Sequence, residues 1–83
     1  MQRILIVDDE VNIVNALRRV FAKLPYATTT FTAPAAALDY AERTEVDLII
    51  ADFRMPGMDG VALLKRIKDM QPDAMRLIVS GYA

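Results

Sequence analysis

Hydrophobic residues along the chain follow two spacings, one typical of strands and the other of helices. Three nearly continuous aliphatic runs, at residues 4–7, 46–51 and 76–79, predict strands buried on both faces, as in a parallel sheet. A further segment, residues 27–31, holds three consecutive Thr and ends in Phe, a composition that favours a short strand. The pattern therefore predicts four strands.

The segments between the strands carry apolar residues at helical spacing. They predict helices over residues 11–24, 35–43 and 61–70. The residues expected on the buried faces of the first and third helices are Val14, Leu17, Val20, Phe21 and Leu24, and Val61, Leu64, Ile67 and Met70.

Polar and proline residues mark where these helices begin and end. Thr32 is expected to cap the second helix, with Pro34 in its first turn, and Asp59 is expected to cap the third. Pro25 ends the first helix and Pro72 breaks the third. The resulting order is βαβαβαβ, which predicts an α/β domain over residues 1–83 with right-handed crossovers and a parallel sheet.

Polar side chains stand where the predicted strands end. Asp8 and Asp9 follow the first strand, Asp52 follows the third, and Ser80 follows the fourth. In open α/β sheets the ligand crevice lies at the carboxyl ends of the strands. We therefore expect these four residues to meet in one pocket.

Three carboxylates in one pocket repel one another, so either one pKa rises or a cation binds. An all-oxygen site suits Mg²⁺, with Mn²⁺ as the alternative. A carboxylate beside such an ion can act as a nucleophile toward a phosphoryl group. The Ser80 hydroxyl could then bond a phosphoryl oxygen.

Composition narrows the chemistry further. The net charge is −1, which does not favour binding to nucleic acid or to an anionic membrane surface. The sequence contains neither Cys nor His, so any reaction must use carboxylates, hydroxyls, Lys or Arg. No apolar run is long enough to span a bilayer, and the first residues do not read as a signal peptide. The expected compartment is the cytoplasm.

Three stretches of the sequence resemble the receiver domain of two-component response regulators. They are ILIVDDE at residues 4–10, DLIIADFRMPGMDG at residues 47–60 and LIVSG at residues 77–81. The second stretch is the most specific, because a strand-ending Asp is followed by Met-Pro and then Met-Asp-Gly. The resemblance implies a flavodoxin-like, doubly wound parallel sheet with strand order 2-1-3-4.

The resemblance also implies a role for each pocket residue. Asp52 would be the phosphoacceptor and would contribute to a Mg²⁺ site. Asp9 would bind the ion directly, Asp8 largely through water, and Arg54 through its main-chain carbonyl. Ser80 would be the hydroxyl that moves toward the phosphoryl group.

Partners follow from the same resemblance. The phosphoryl donor would be a histidine on a sensor kinase or on a phosphotransfer protein. The domain would act as a conformational switch for an output domain or partner protein, without binding nucleic acid or membrane directly. It would be no enzyme beyond promoting its own phosphorylation and dephosphorylation.

The sequence departs from the family pattern after the fourth strand. No counterpart of the fourth helix or of the fifth βα unit follows, and the family's lysine and aromatic residue of that unit are unmatched. We expect an exposed apolar edge at residues 77–79, and either a fragment of a longer protein or a chain that self-associates through that edge.

Two other functions stay open at this point. A phosphorylation-deficient interaction module would keep the fold without the switch. A phosphatase-like hydrolase would use the same aspartyl chemistry, but such enzymes want a second Asp two residues after the nucleophile. Arg54 occupies that position, which argues against the hydrolase.

Overall fold

Strands and helices alternate in the computed structural model, which describes residues 2–55 and 57–79. In chain order the elements are β1 (Gln2–Val7), α1 (Val11–Ala22), β2 (Tyr26–Phe31), α2 (Pro34–Arg43), β3 (Leu48–Asp52), α3 (Gly60–Met70) and β4 (Met75–Val79). The strands pair in parallel in the order β2-β1-β3-β4. This arrangement confirms the predicted α/β fold and its strand order.

Helices cover both faces of the sheet, because side chains along each strand alternate between the faces. On one face α1 packs against a small cluster formed by Ile4, Ile6 and Ile50. On the other face α2 and α3 pack against a larger cluster that includes Leu5 and Ile49. The two central strands, β1 and β3, are therefore buried on both sides, which explains their continuous aliphatic sequences.

The buried faces of the helices differ in part from those predicted. In α1, Val14 is buried but Val20 is exposed. In α3, Leu63 is fully buried, whereas Val61 and Met70 are 39% and 36% exposed. For α3 the prediction advanced by three residues at each step, which falls short of a full turn of 3.6 residues and drifts around the helix. The observed face follows the i, i+3, i+4, i+7 pattern of a helix that packs on a sheet.

The cap predicted for α3 is confirmed, and the cap predicted for α2 is wrong. The Asp59 side chain accepts a hydrogen bond of 2.8 Å from the Ala62 backbone N–H and so caps α3. At α2 the capping position is Ala33, not Thr32, and it has no side-chain cap among the described residues. Pro34 is the first helical residue, and its fixed φ starts the helix. No helix in the described ranges combines the length and the apolar character needed to cross a membrane.

Candidate functional site

Two central strands bring three carboxylates together. Asp8 and Asp9 directly follow β1, and Asp52 is the last residue of β3. These strands are parallel neighbours, with Val7 opposite Ala51, so their carboxyl ends lie side by side. One carboxylate oxygen from each Asp lies within 4.8 Å of the other two. The convergence expected from the sequence is thus present for these three residues.

The three carboxylates differ in their access to solvent. Asp8 is only 5% exposed, Asp52 is half-buried and Asp9 is exposed. The cluster therefore has a buried carboxylate at its base and two that an incoming group can reach.

Electrostatics at the base of the cluster disfavour a negative charge. Burial raises the pKa of Asp8, and the nearby carboxylates of Asp52, Asp9 and Glu10 raise it further. A hydrogen bond from the Glu10 backbone N–H to Asp8 Oδ1, 2.9 Å long, opposes the shift but does not cancel it. A cation among these oxygens would offset both the burial and the repulsion.

The donor atoms suit a hard divalent cation. Asp8, Asp9 and Asp52 offer only carboxylate oxygens, which Mg²⁺ prefers and which Mn²⁺ also accepts. Mg²⁺ commonly takes one or two protein carboxylates and fills its remaining positions with water and phosphate oxygens. An open cluster of this kind fits such an ion, and the ion would neutralise charge on a phosphoryl group during transfer.

For two of the predicted site residues, Arg54 and Ser80, no described contact places them at the carboxylate cluster. Arg54 lies two residues beyond Asp52 and is exposed, and its carbonyl as a metal ligand stays a prediction. Ser80 lies outside the described residues, so its role as the switch hydroxyl also stays a prediction.

The loop between β3 and α3 is held at both ends. The Phe53 N–H donates to the Val79 carbonyl at 3.2 Å, and the Gly60 N–H donates to the Phe53 carbonyl at 3.0 Å. Within the loop, Met55 is buried in the larger core cluster, and Gly57 has a φ of 86°, which favours glycine. Phe53, Met55 and Gly60 therefore anchor the described part of this loop to β4, to the core and to the start of α3.

The sequence alone assigned Gly60 no role beyond its place at the end of the stretch at residues 47–60. An ideal Cβ at this position would lie 2.1 Å from the main-chain oxygen of Asp52. The only signal in the sequence is the Asp-Gly pair at the start of a helix, which is also common in ordinary turns.

Comparison with known proteins gives a consistent result. The family model for the response regulator receiver domain matches residues 4–83. The chain is 37% identical over 81 residues to sporulation initiation phosphotransferase F of Bacillus subtilis, covering 98% of this chain and 65% of that protein.

Solved structures are similar along the whole chain. A Burkholderia pseudomallei response regulator with a phosphorylated aspartic acid, a calcium ion and citrate is 28% identical, with a TM-score of 0.91, over 100% of this chain and 49% of that one. The Thermotoga maritima response regulator TrrA, in complex with the histidine kinase ThkA, is 32% identical, with a TM-score of 0.90, over 100% of this chain and 72% of that one.

The relatives are longer than this chain. It spans 65% of the Bacillus subtilis protein and only 16% to 18% of curated relatives whose names describe transcriptional regulators. The similarity therefore concerns one domain of those larger regulators.

Proposed function

The chain belongs to the response regulator receiver family of two-component systems, and on that premise we propose that Asp52 accepts a phosphoryl group from a phosphohistidine. The observation that carries the proposal is the cluster of three carboxylate oxygens within 4.8 Å at the ends of β1 and β3. The donor would be a sensor histidine kinase or a phosphotransfer protein. The complex of TrrA with a histidine kinase supports this class of partner.

The reaction balances without a further reactant. A carboxylate oxygen of Asp52 attacks the phosphorus, a P–O bond forms, and the P–N bond to the donor's imidazole breaks. With a proton on the other nitrogen of the donor ring, the electron pair of that bond returns to the ring and a neutral imidazole leaves. The product is an acyl phosphate on Asp52, which water can later hydrolyse to restore the carboxylate.

Exposure and charge favour Asp52 over Asp8 as the nucleophile. Asp8 is buried, its pKa is raised, and one of its oxygens accepts the Glu10 N–H. Asp52 is half-buried at the end of a central strand, where a partner's side chain can approach. The phosphorylated aspartic acid in the Burkholderia pseudomallei relative supports the same chemistry.

The same carboxylates would hold the metal ion. We assign Mg²⁺, with Mn²⁺ as the alternative, to Asp8, Asp9 and Asp52, together with the main-chain carbonyl of Arg54. Ser80 would supply a hydroxyl to the phosphoryl group. The calcium ion in the Burkholderia pseudomallei structure supports the binding of a divalent ion by proteins of this family without deciding which ion or where.

Phosphorylation would bias the conformation of the domain and so control an output domain or a separate partner. Added charge and acceptor oxygens at Asp52 act locally, and packed elements transmit the change. The domain would promote only its own phosphorylation and dephosphorylation. A cytoplasmic location and the lack of direct binding to nucleic acid stay predictions from the sequence.

Self-association through β4 is a second proposal, independent of phosphorylation. The strand carries four side chains that are at least 40% exposed: Met75, Leu77, Ile78 and Val79. Exposed apolar strands pair readily with other chains. Light scattering after size-exclusion chromatography would report a dimer for the wild type and a monomer for Leu77→Lys. A wild-type monomer at all concentrations would rule the proposal out.

Intact mass spectrometry tests the phosphoacceptor directly. The chain is incubated with acetyl phosphate, with and without Mg²⁺, beside Asp52→Asn. Asp59→Asn is the matched control, because it changes a nearby loop carboxylate while keeping a good helix cap. We expect one added phosphoryl group that requires both Mg²⁺ and Asp52.

Other outcomes have clear meanings. A phosphoryl group retained by Asp52→Asn would place the acceptor elsewhere. No gain in a folded wild-type chain would contradict the proposal and leave the interaction module as the better description.

A further inference from the structure

Gly60, the first residue of α3, lies directly against the main chain of Asp52. An ideal Cβ built on Gly60 would stand 2.1 Å from the Asp52 carbonyl oxygen and 3.0 Å from the carbonyl carbon, and 3.3 Å from the Cα of Phe53. All three are main-chain atoms, so no side chain can rotate away to make room. Any residue other than glycine therefore forces one of the two segments to move.

The strand side of this contact is held firmly. Asp52 lies in β3, which pairs with β1 on one side and β4 on the other. Its register partner in β4 is Val79, and the Phe53 N–H donates to the Val79 carbonyl. Moving Asp52 would break this pairing, so the start of α3 is the segment that would yield. It would have to move by about 1.3 Å, from 2.1 Å to the 3.4 Å of an ordinary van der Waals contact.

A shift of α3 would also displace the loop that joins it to Asp52. The Gly60 N–H donates to the Phe53 carbonyl at 3.0 Å, a bond that closes the loop at its base. The enclosed residues include Arg54, whose carbonyl is the proposed third metal ligand. Met55 anchors the same loop in the core, so the loop cannot follow the helix without adjusting its main chain.

We propose that Gly60 is a positioning residue: by lacking a side chain, it lets α3 pack against Asp52 and sets the main chain of residues 53–55 for cation binding. This inference rests on the proposed metal and phosphoacceptor site. Gly60 has no side chain with which to hold the ion or the phosphoryl group, and it acts through the loop that it closes.

Gly60→Ala tests the role, because alanine is otherwise the better residue inside a helix. Mg²⁺ affinity is measured by isothermal titration calorimetry, and thermal melts are recorded in parallel. We expect the affinity to fall about 10- to 100-fold, the range found when residues that orient metal ligands are changed. Amide chemical shifts of residues 52–55, measured without metal, should also move.

Ile67→Val is the matched control, since Ile67 is fully buried in the same helix but lies outside the loop. It should lower Tm and leave the Mg²⁺ affinity unchanged. All variants are also measured in trimethylamine N-oxide, which favours the folded state, so that a weakly folded Gly60→Ala chain can be compared.

A folded Gly60→Ala chain with wild-type Mg²⁺ affinity would overturn the inference. So would a chain that stays unfolded in the osmolyte, since Gly60 would then serve folding alone. A different result would contradict the proposed function, namely a wild-type chain that binds Mg²⁺ but takes no phosphoryl group. In that case the Mg²⁺ affinity of Gly60→Ala would still decide the role of Gly60. A wild-type chain that binds no Mg²⁺ overturns both.

Discussion

Asp8 Oδ1 accepts a hydrogen bond of 2.9 Å from the Glu10 backbone N–H, at the junction of β1 and α1. The bond holds the buried carboxylate in place but does not compensate for its surroundings. Burial raises the pKa of Asp8 above its ordinary value of 3.8, and the carboxylates of Asp52 and Asp9 add to the shift. Without a cation, burial and the neighbouring carboxylates therefore destabilise the charged form of Asp8.

The first prediction concerns the stability of the metal-free chain. The folded-state pKa of Asp8 lies above the unfolded value, so stability falls as pH rises through the interval between them, and the cost is fully present above the folded-state pKa. Asp8→Asn keeps the acceptor for the Glu10 N–H and removes the charge. We expect its Tm to be several degrees higher than that of the wild type at neutral pH.

Thermal melts across a pH series, with chelator present, check this expectation. The advantage of Asp8→Asn should vanish below the ordinary pKa of Asp, where the carboxyl is protonated in both states. Asp73→Asn, which changes an exposed carboxylate, is the control and should show no such gain. A gain of equal size at every pH would argue against a charge effect.

The second prediction concerns the addition and removal of metal. Mg²⁺ should raise the free energy of unfolding of the wild type at neutral pH, by about 2.7 kcal/mol when its concentration is 100 times Kd. The gain should shrink as pH falls toward protonation of Asp8. Asp8→Asn should be stabilised much less by Mg²⁺. The difference in free energy of unfolding between the two chains should therefore narrow or reverse when Mg²⁺ is present.

Denaturant titrations with Mg²⁺ and with chelator measure this difference. Ca²⁺ and Mn²⁺ in parallel series would show which ion the site prefers. An equal gain in the wild type and Asp8→Asn would mean that the ion binds away from this cluster.

The third prediction concerns the cap of α3. Asp59 accepts the Ala62 N–H, so Asp59→Ala leaves that donor without its cap and should cost about 1 kcal/mol of stability. Asp59→Asn should retain most of the stability, because Asn caps helices well. Chemical denaturation of the wild type and the two variants measures these differences. If Asp59→Asn loses as much stability as Asp59→Ala, the charge of Asp59 matters rather than its role as a cap.

The fourth prediction concerns Gln71, which follows α3 at the end of the molecule opposite the site. Its side-chain oxygen accepts the Val46 N–H, and its side-chain nitrogen donates to the carbonyls of Ala41 and Thr44, each at 2.8 Å. Gln71→Leu removes all three bonds and leaves the buried Val46 N–H without its acceptor. We expect a loss of about 1–3 kcal/mol, the usual range for a buried group left unpaired.

Gln71→Glu separates the acceptor role of the Gln71 side chain from its donor role. It keeps an acceptor for Val46 but cannot donate to the two carbonyls, so it should also destabilise the chain. Lys68→Ala, an exposed change in the last turn of α3, is the control and should stay within about 0.5 kcal/mol of the wild type. Denaturant unfolding measures all three, and a stable Gln71→Leu would contradict the assignment.

Much of the fold could be anticipated because the relevant signals are local. Continuous aliphatic runs mark β1 and β3 as central strands, since only strands covered on both faces can bury every side chain. The strand ends then place Asp8, Asp9 and Asp52 at one edge by topology alone. The cap at Asp59 could be anticipated for the same reason, because its bond spans only three residues.

Other features depend on residues that are distant along the chain. Spacing alone favoured Val61 and Met70 for the buried face of α3, whereas contact with the sheet and α2 buries Leu63 instead. The three bonds of Gln71 connect segments 25 to 30 residues apart, so no local pattern reveals them.

Residue order was therefore enough to establish an α/β receiver fold and a cluster of three carboxylates. Packing in three dimensions established which carboxylate is buried, how its pKa is displaced, and why Gly60 stands beside Asp52. The physical reason is that periodicity and capping are carried by neighbouring residues. Desolvation and close contact between main chains depend on atoms that only the folded chain brings together.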